Sequence, residues 1–379
     1  MDCPPLTYCT NVHPGETWEE IRAALQTHLP AIKDKAGYGD RPFPVGLRLS
    51  AQAAEKLLTS SYERDSFREW MAENSYEIFT MNGFPYGAFH GTRVKENVFL
   101  PDWSSPERLL YTQRLFTLLH EWALPGRDIS VSTLPGSHKS FKKSDDELIP
   151  AIREMGRFLE KLYQETGRDC HLGFEPEPFG HFDNTRESIS FLQQVFRNQP
   201  DEEALRKRLG ITYDTCHFAL QFEEPDFALK ALEGAGIRLS KIQASNALSL
   251  DPRQPGTLDS LRNYNEPVYF HQVVVREEQG RVHVFPDITP ALEWAASSSA
   301  PGVEWRCHFH IPIGAVPEPP LKDTNGHLIQ TIDYLRQHPQ AMPHWEAETY
   351  TWNVLPESLR MPLDDQIARE LRWLRDRFA

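Results

Sequence analysis

Five short stretches of this chain carry oxygen and nitrogen donors at strand-like spacing: Glu175-Pro-Glu177, Asp214-Thr-Cys-His217, Gln243-Ala-Ser245, His308-Phe-His310 and Glu346-Ala-Glu348. Residues two apart on an extended strand share a face. Asp214 and His217 are three apart and share one only if the chain bends as it leaves its strand. If one face of each stretch turns into a common cavity, several carboxylates converge there. Isolated buried carboxylates would cost roughly tens of kcal/mol on an ideal scale and would neutralise first. A divalent cation removes that conflict. Carboxylate, imidazole and carboxamide donors without a thiolate suit Mn, Mg, Fe or Zn. Each stretch also has a plainer reading: a Glu at a strand end can be a loop carboxylate, a His-x-His can be structural, and Asp214 or Thr215 can cap the following helix. Recurrence at successive strand ends is what favours a metal site.

Elements that would position these donors alternate along the chain. β-rich runs occur at 6–11, 45–50, 76–83, 129–134, 171–177, 211–217, 240–245, 303–311 and 345–352. Amphipathic stretches separate them; in 145–167, Leu148, Ile149, Ile152, Met155, Phe158, Leu159 and Leu162 recur at helical spacing. Strand–helix alternation implies parallel strands, and the pattern predicts a single-domain (β/α)8 barrel spanning 1–379 with elaborated loops. Several of these strands begin apolar and end polar, as a barrel with its active site at the C-terminal strand ends requires. Nine runs compete for eight places, and the first run or 45–50 is a candidate to lie outside. A further pair, 268–275 and the segment after Gln279-Gly280, reads as a hairpin insertion near 268–285.

Bulk properties narrow the function. The 379 residues are 40% hydrophobic and 25% charged, with net charge −14. No basic footprint for nucleic acid is present, and no apolar run approaches the length of a membrane span. The five cysteines (Cys3, Cys9, Cys170, Cys216, Cys307) contain no Cys-x-x-Cys pair, which fits reduced thiols. With no secretory pattern at the start, a cytoplasmic protein is expected. Nothing in the sequence sets an oligomeric state.

LGFEPEP, YDTCH, KIQASN and AETYTW, in that order over residues 125–355, resemble the xylose isomerase-like barrel superfamily of sugar isomerases, ketose epimerases and endonuclease IV enzymes. The resemblance implies a metal shell of Glu175, Asp214, Gln243 and Glu348, with Glu175 and Glu348 also catalytic. Gln243 stands where such proteins usually have His; His217, His271 and His310 are candidate compensating ligands. Leu134 precedes Pro135-Gly136-Ser137-His138 where the endonucleases carry a His, so a three-zinc nuclease site is incomplete. LTYCTNVHPGETW, NGFPYGAFHG, VKENVFLPDW, STLPGSH and ETYTWNVLP are similar to the EboE subgroup, which implies a role in secondary-metabolite production or traffic and a membrane-protein partner.

Three functions follow. One is metal-assisted isomerisation or epimerisation of a carbohydrate-like or secondary-metabolite substrate through an enediolate, Glu175 and Glu348 moving the proton. Another is a metal-dependent hydrolase or lyase. A third is a non-catalytic barrel that binds and delivers a metabolite. His90, Lys95, His138, Glu177 and His308 are candidate substrate contacts. One ion can link Glu175 and Glu348 only if they lie within about 10 Å, given ligand distances near 2–2.5 Å.

Overall fold

The eight strands that close the barrel are mostly buried along their length. In the computed structural model, which describes residues 4–88, 95–267, 269, 271–298 and 301–379, they are β1 (Leu6–Tyr8), β2 (Phe43–Arg48), β3 (Tyr76–Asn82), β4 (Ile129–Thr133), β5 (Cys170–Phe174), β6 (Leu209–Asp214), β7 (Arg238–Ala244) and β8 (His344–Ala347). They pair in parallel in the order β1-β8-β7-β6-β5-β4-β3-β2. A parallel bridge between Cys9 and Gly46 joins the two ends. The result is a nearly closed (β/α)8 barrel in one domain.

The helices close around it for local reasons. In the helix Asp145–Thr166, the Glu147 carboxylate accepts from the Ser144 N–H at 2.9 Å and so caps the start. Gly167, at φ 69°, supplies the left-handed exit. Leu148, Ile149, Ile152, Met155 and Leu159 are its buried face.

One expectation fails. The run 303–311 does not enter the barrel, and both 45–50 and the first run do. Glu304–Cys307 pairs antiparallel with Leu248–Leu250 and Val273–Arg276. It belongs to a separate five-stranded sheet, completed by Val282–Phe285 and Lys322–Asp323. This sheet is inserted between β7 and β8. Its Val273–Arg276 and Val282–Phe285 strands form a hairpin, with Gly280 at φ +82° in the turn. The misreading has a physical cause: an apolar run ending in His-x-His has the same local pattern in either sheet, and its pairing partners are remote.

The lumen is polar along its length. Most barrels fill it with branched apolar residues. Here Lys241 of β7 and Glu346 of β8 form a fully buried ion pair at 2.9 Å. Lys241 Nζ also donates across the lumen to Met81 O and Ser132 Oγ, both at 3.3 Å. Gly46 makes room for this pair, since a Cβ there would fall 1.5 Å from Glu346 Oε2. Along β8 the same face carries His344, then Glu346, then Glu348.

Breaking one partner of a buried pair strands the other charge. Lys241→Met is expected to cost about 3–5 kcal/mol, and Lys241→Met combined with Glu346→Leu to recover most of it. Chemical denaturation of the two variants measures the difference; equal losses would remove the pair from its stabilising role.

Candidate metal centre

Glu175 follows β5 by one residue, Asp214 ends β6 and Glu348 follows β8 by one, so all three leave the barrel at its C-terminal mouth. One carboxylate oxygen from each lies within 4.8 Å of the others, and all three residues are buried. This is well inside the reach of one ion.

Asp214 and Glu348 are each held through one carboxylate oxygen. Asp214 Oδ1 caps the short helix Thr215–Leu220, accepting from the N–H groups of Cys216 (2.7 Å) and His217 (3.1 Å) and from Ser245 Oγ (2.6 Å). Its Oδ2 is buried and has no hydrogen-bond partner. The capping reading and the ligand reading therefore describe different atoms of one side chain. Glu175 Oε2 is likewise buried and unpartnered. Glu348 Oε1 accepts from Asn11 Nδ2 at 2.7 Å and Asn82 Nδ2 at 3.0 Å.

The imidazoles come partly from the frame and partly from the insertion. His217 Nδ1 faces the Pro176 carbonyl at 2.9 Å, and His310 Nδ1 faces the Glu348 carbonyl at 2.8 Å. A carbonyl only accepts, so both Nδ1 atoms carry the proton and both Nε2 atoms present a lone pair. Those two Nε2 atoms lie 3.1 and 3.3 Å from His308 Nε2, which has at most one proton to offer. Asp214, His217 and His310 also bring ligand atoms within 4.8 Å of one another. Cys216 lies near His308 and His310, but burial pushes its thiol well up, so it is not a thiolate donor.

Electrostatics separate the roles. Burial, then Glu348, Asp214 and Glu177, hold the Glu175 carboxyl well above its ordinary range. Burial, then Asp214 and Glu346, do the same for Glu348. Glu177 is pushed up to about 8, mainly by burial. Burial also opposes ionisation of Asp214, but His217, His310 and the cap hydrogen bonds outweigh it and lower its pKa. Burial lowers His217, His308 and His310, the last to about 4.

Other expected site residues fall in different places. Gln243 is fully buried, in register with Asp214 and Glu346, and neither amide atom has a partner. His271 stands apart: its Nδ1 meets the His308 carbonyl at 2.9 Å and its Nε2 meets Glu266 at 2.8 Å. Lys95, Glu177 and His308 line a cavity together with Glu175 and Glu348. His138 instead caps a 3-10 turn beside Phe99 and Phe141. His90 lies outside the described residues. Sequence reading missed Asn11 and Asn82, which fix Glu348. Asn82 shares a strand face with Thr80, so parity was the available signal.

No family model matches the chain, and no curated protein matches its sequence. Solved structures do share its architecture. A protein of Anabaena variabilis provisionally named a sugar phosphate isomerase/epimerase superposes with a TM-score of 0.50 at 10% identity, over 100% of this chain and 98% of that one. What the two share is the (β/α)8 barrel fold. A xylose isomerase domain protein of Salmonella typhimurium scores 0.42 at 14% identity, covering 99% of each chain. A D-tagatose 3-epimerase-like protein scores 0.46 at 10%, covering 91% of each. At such identities the likeness concerns fold alone. No helix among the described residues is long and apolar enough to cross a membrane.

The raised carboxyls give a pH signature. A folded pKa of about 8 for Glu177, against about 4.3 unfolded, means the folded state binds the proton more tightly. Its contribution is full below about pH 4 and is lost as pH rises through about 8. Between about pH 5 and 9, metal-free wild type should lose on the order of 1–3 kcal/mol relative to Glu177→Gln. Parallel denaturation curves across that range would refute this.

Proposed function

We propose that this protein is a divalent-metal-dependent isomerase or epimerase of a small carbohydrate-like molecule. The observation that carries the reading is the convergence of buried Glu175, Asp214 and Glu348 oxygens within 4.8 Å, where one buried oxygen each of Glu175 and Asp214 has no hydrogen-bond partner. These orphan oxygens, with the lone pairs of His217 and His310, fit a hard or borderline cation, which suits Mn, Mg, Fe or Zn. When bound, such an ion supplies Lewis-acid stabilisation of charge developing on adjacent substrate oxygens.

The chain's own residues supply the rest. Asp214 stays ionised, while Glu175 and Glu348 sit in surroundings that let each carry a proton. Two carboxyls of raised pKa on one cavity can take a proton from one carbon and return it to its neighbour or its other face. Asn11 and Asn82 hold Glu348 in place for this. The cavity wall presents carboxylates, amides, imidazoles and Tyr350, which match hydroxyl groups. Among its described lining residues Lys95 alone is a lysine or arginine, and Asp287 engages it at 2.5 Å. This favours an unphosphorylated polyhydroxylated substrate. Several of the runs similar to the EboE subgroup contribute cavity residues (Asn11, Phe84, Lys95, Tyr350), which supports a secondary-metabolite substrate within this class. Gln243, a buried amide without partners, favours a second reading in which the barrel binds and hands on its metabolite.

Incubation with unphosphorylated ketoses in D2O, followed by NMR, separates the two. Metal-loaded wild type should place deuterium on the carbon beside the carbonyl. Glu175→Gln and Glu348→Gln should each slow exchange by about 10²–10⁴-fold. Ketose binding without exchange would support the carrier, and a protein whose metal uptake is unchanged in Asp214→Asn with Glu175→Gln would sink the metal centre.

A further inference from the structure

A second cluster of donors lies at the opposite, N-terminal end of the barrel. Asp128 immediately precedes β4, His171 is the second residue of β5, and His344 opens β8. Each offers one ligand atom, and the three atoms lie within 4.8 Å of one another. His344 Nε2 is 3.1 Å and His171 Nε2 is 3.8 Å from Asp128 Oδ2. We infer that Asp128, His171 and His344 form a second metal site, a two-histidine, one-carboxylate centre for Zn²⁺ that ties three barrel strands together at the base.

Several observations beyond proximity point to a ligand. His171 is 2% exposed, and neither of its ring nitrogens has a hydrogen-bond partner. A buried imidazole with both nitrogens unused loses its hydration without recompense. Its Nε2 is the atom directed at Asp128, at a distance too long for a hydrogen bond. His344 Nδ1 contacts Ser130 Oγ at 2.7 Å, and Ser130 contacts Thr80 Oγ1 at 2.8 Å. A partner on Nδ1 that fixes the ring and leaves Nε2 for the ion is the usual outer-shell arrangement of a metal-bound histidine.

Nearby cations are already neutralised. Arg238 is paired with Asp169 at 2.8 Å, and Arg127 with Glu77 at 2.7 Å. Three protein ligands of this type leave a position for water, and the 45% exposed Asp128 side chain opens the site to solvent. β8 faces β4 and β5 across the lumen rather than beside them in the sheet. An ion here would therefore join opposite walls of the barrel, a connection no backbone ladder makes.

The test uses the full chain, stripped with chelator and titrated with Zn²⁺ alone, with bound metal counted by elemental analysis. The Asp214→Asn, Glu175→Gln double variant disables the upper centre and should still take up one equivalent. Asp128→Asn and His171→Gln, each made on the wild-type background, should lose that equivalent while keeping whatever the upper centre binds. Zn²⁺ at about 100 times its Kd should raise the melting temperature of the upper-site variant by roughly 3 °C, and the shift should vanish when Asp128→Asn is added. Asp128 is half-exposed, so this substitution tests the site even if His171→Gln fails to fold. No uptake by the upper-site variant, or undiminished uptake and shift after Asp128→Asn, would leave the cluster as an ion pair only. Failure of the upper centre would show separately, as an Asp214→Asn, Glu175→Gln variant that takes up as much metal as wild type.

Discussion

The Lys241–Glu346 pair is the interaction around which the inside of the barrel is organised. A lysine and a glutamate placed together in a closed lumen must satisfy each other, because water and apolar side chains are both poor substitutes there. Their demand fixes what surrounds them. Position 46 has to be glycine, the Met81 carbonyl and Ser132 hydroxyl have to face inward, and β7 and β8 have to hold one register. With Glu346 anchored, strand alternation delivers Glu348 to the mouth and His344 to the base. The two donor clusters are thus the ends of one polar column.

The mouth is built by side chains that work with two different atoms. Asp214 caps a helix with one oxygen and faces the cavity with the other. His217 and His310 each spend Nδ1 on a backbone carbonyl, and that choice determines which nitrogen is free. Positioning and chemistry are therefore coupled: a change that loosened the helix cap or moved the Glu348 carbonyl would alter the donor set without touching a donor. The inserted sheet is part of this machinery, since it carries His308 and His310 over strands that otherwise contribute carboxylates.

Much of this was legible in the sequence. Strands of the barrel show an apolar start and a polar end, and that gradient follows from where a barrel opens. Glu175, Asp214 and Glu348 stood out because three carboxylates at successive strand ends demand a common explanation. The run 303–311 was assigned to the wrong sheet because strand pattern is local and strand pairing is not. Lys241 carries no signal of its own, and Glu346 reads as a donor rather than an ion-pair partner, for a related reason: a charged residue inside a strand makes sense only beside its partner, which here is 105 residues away. Asn11 and Asn82 are neutral amides, signalled by no more than strand parity at Asn82, and His171 and His344 lie at strand starts, away from the end where barrel chemistry is sought.

Chain order adds a last consequence. Glu348 meets Asn82 across 266 residues and Asn11 across 337, and β1 meets β8 across 338. Closing such long loops is entropically costly, and contacts of this span form slowly. During synthesis, Glu175 and Asp214 emerge well before the segment that completes their neighbourhood. Glu348 is therefore kept from the other two carboxylates until closure, and its repulsion with them is deferred to the step at which the barrel as a whole can oppose it. A nascent chain halted before residue 344 holds seven of the eight barrel strands and most of the donors, yet it lacks Glu348 at the mouth and His344 at the base.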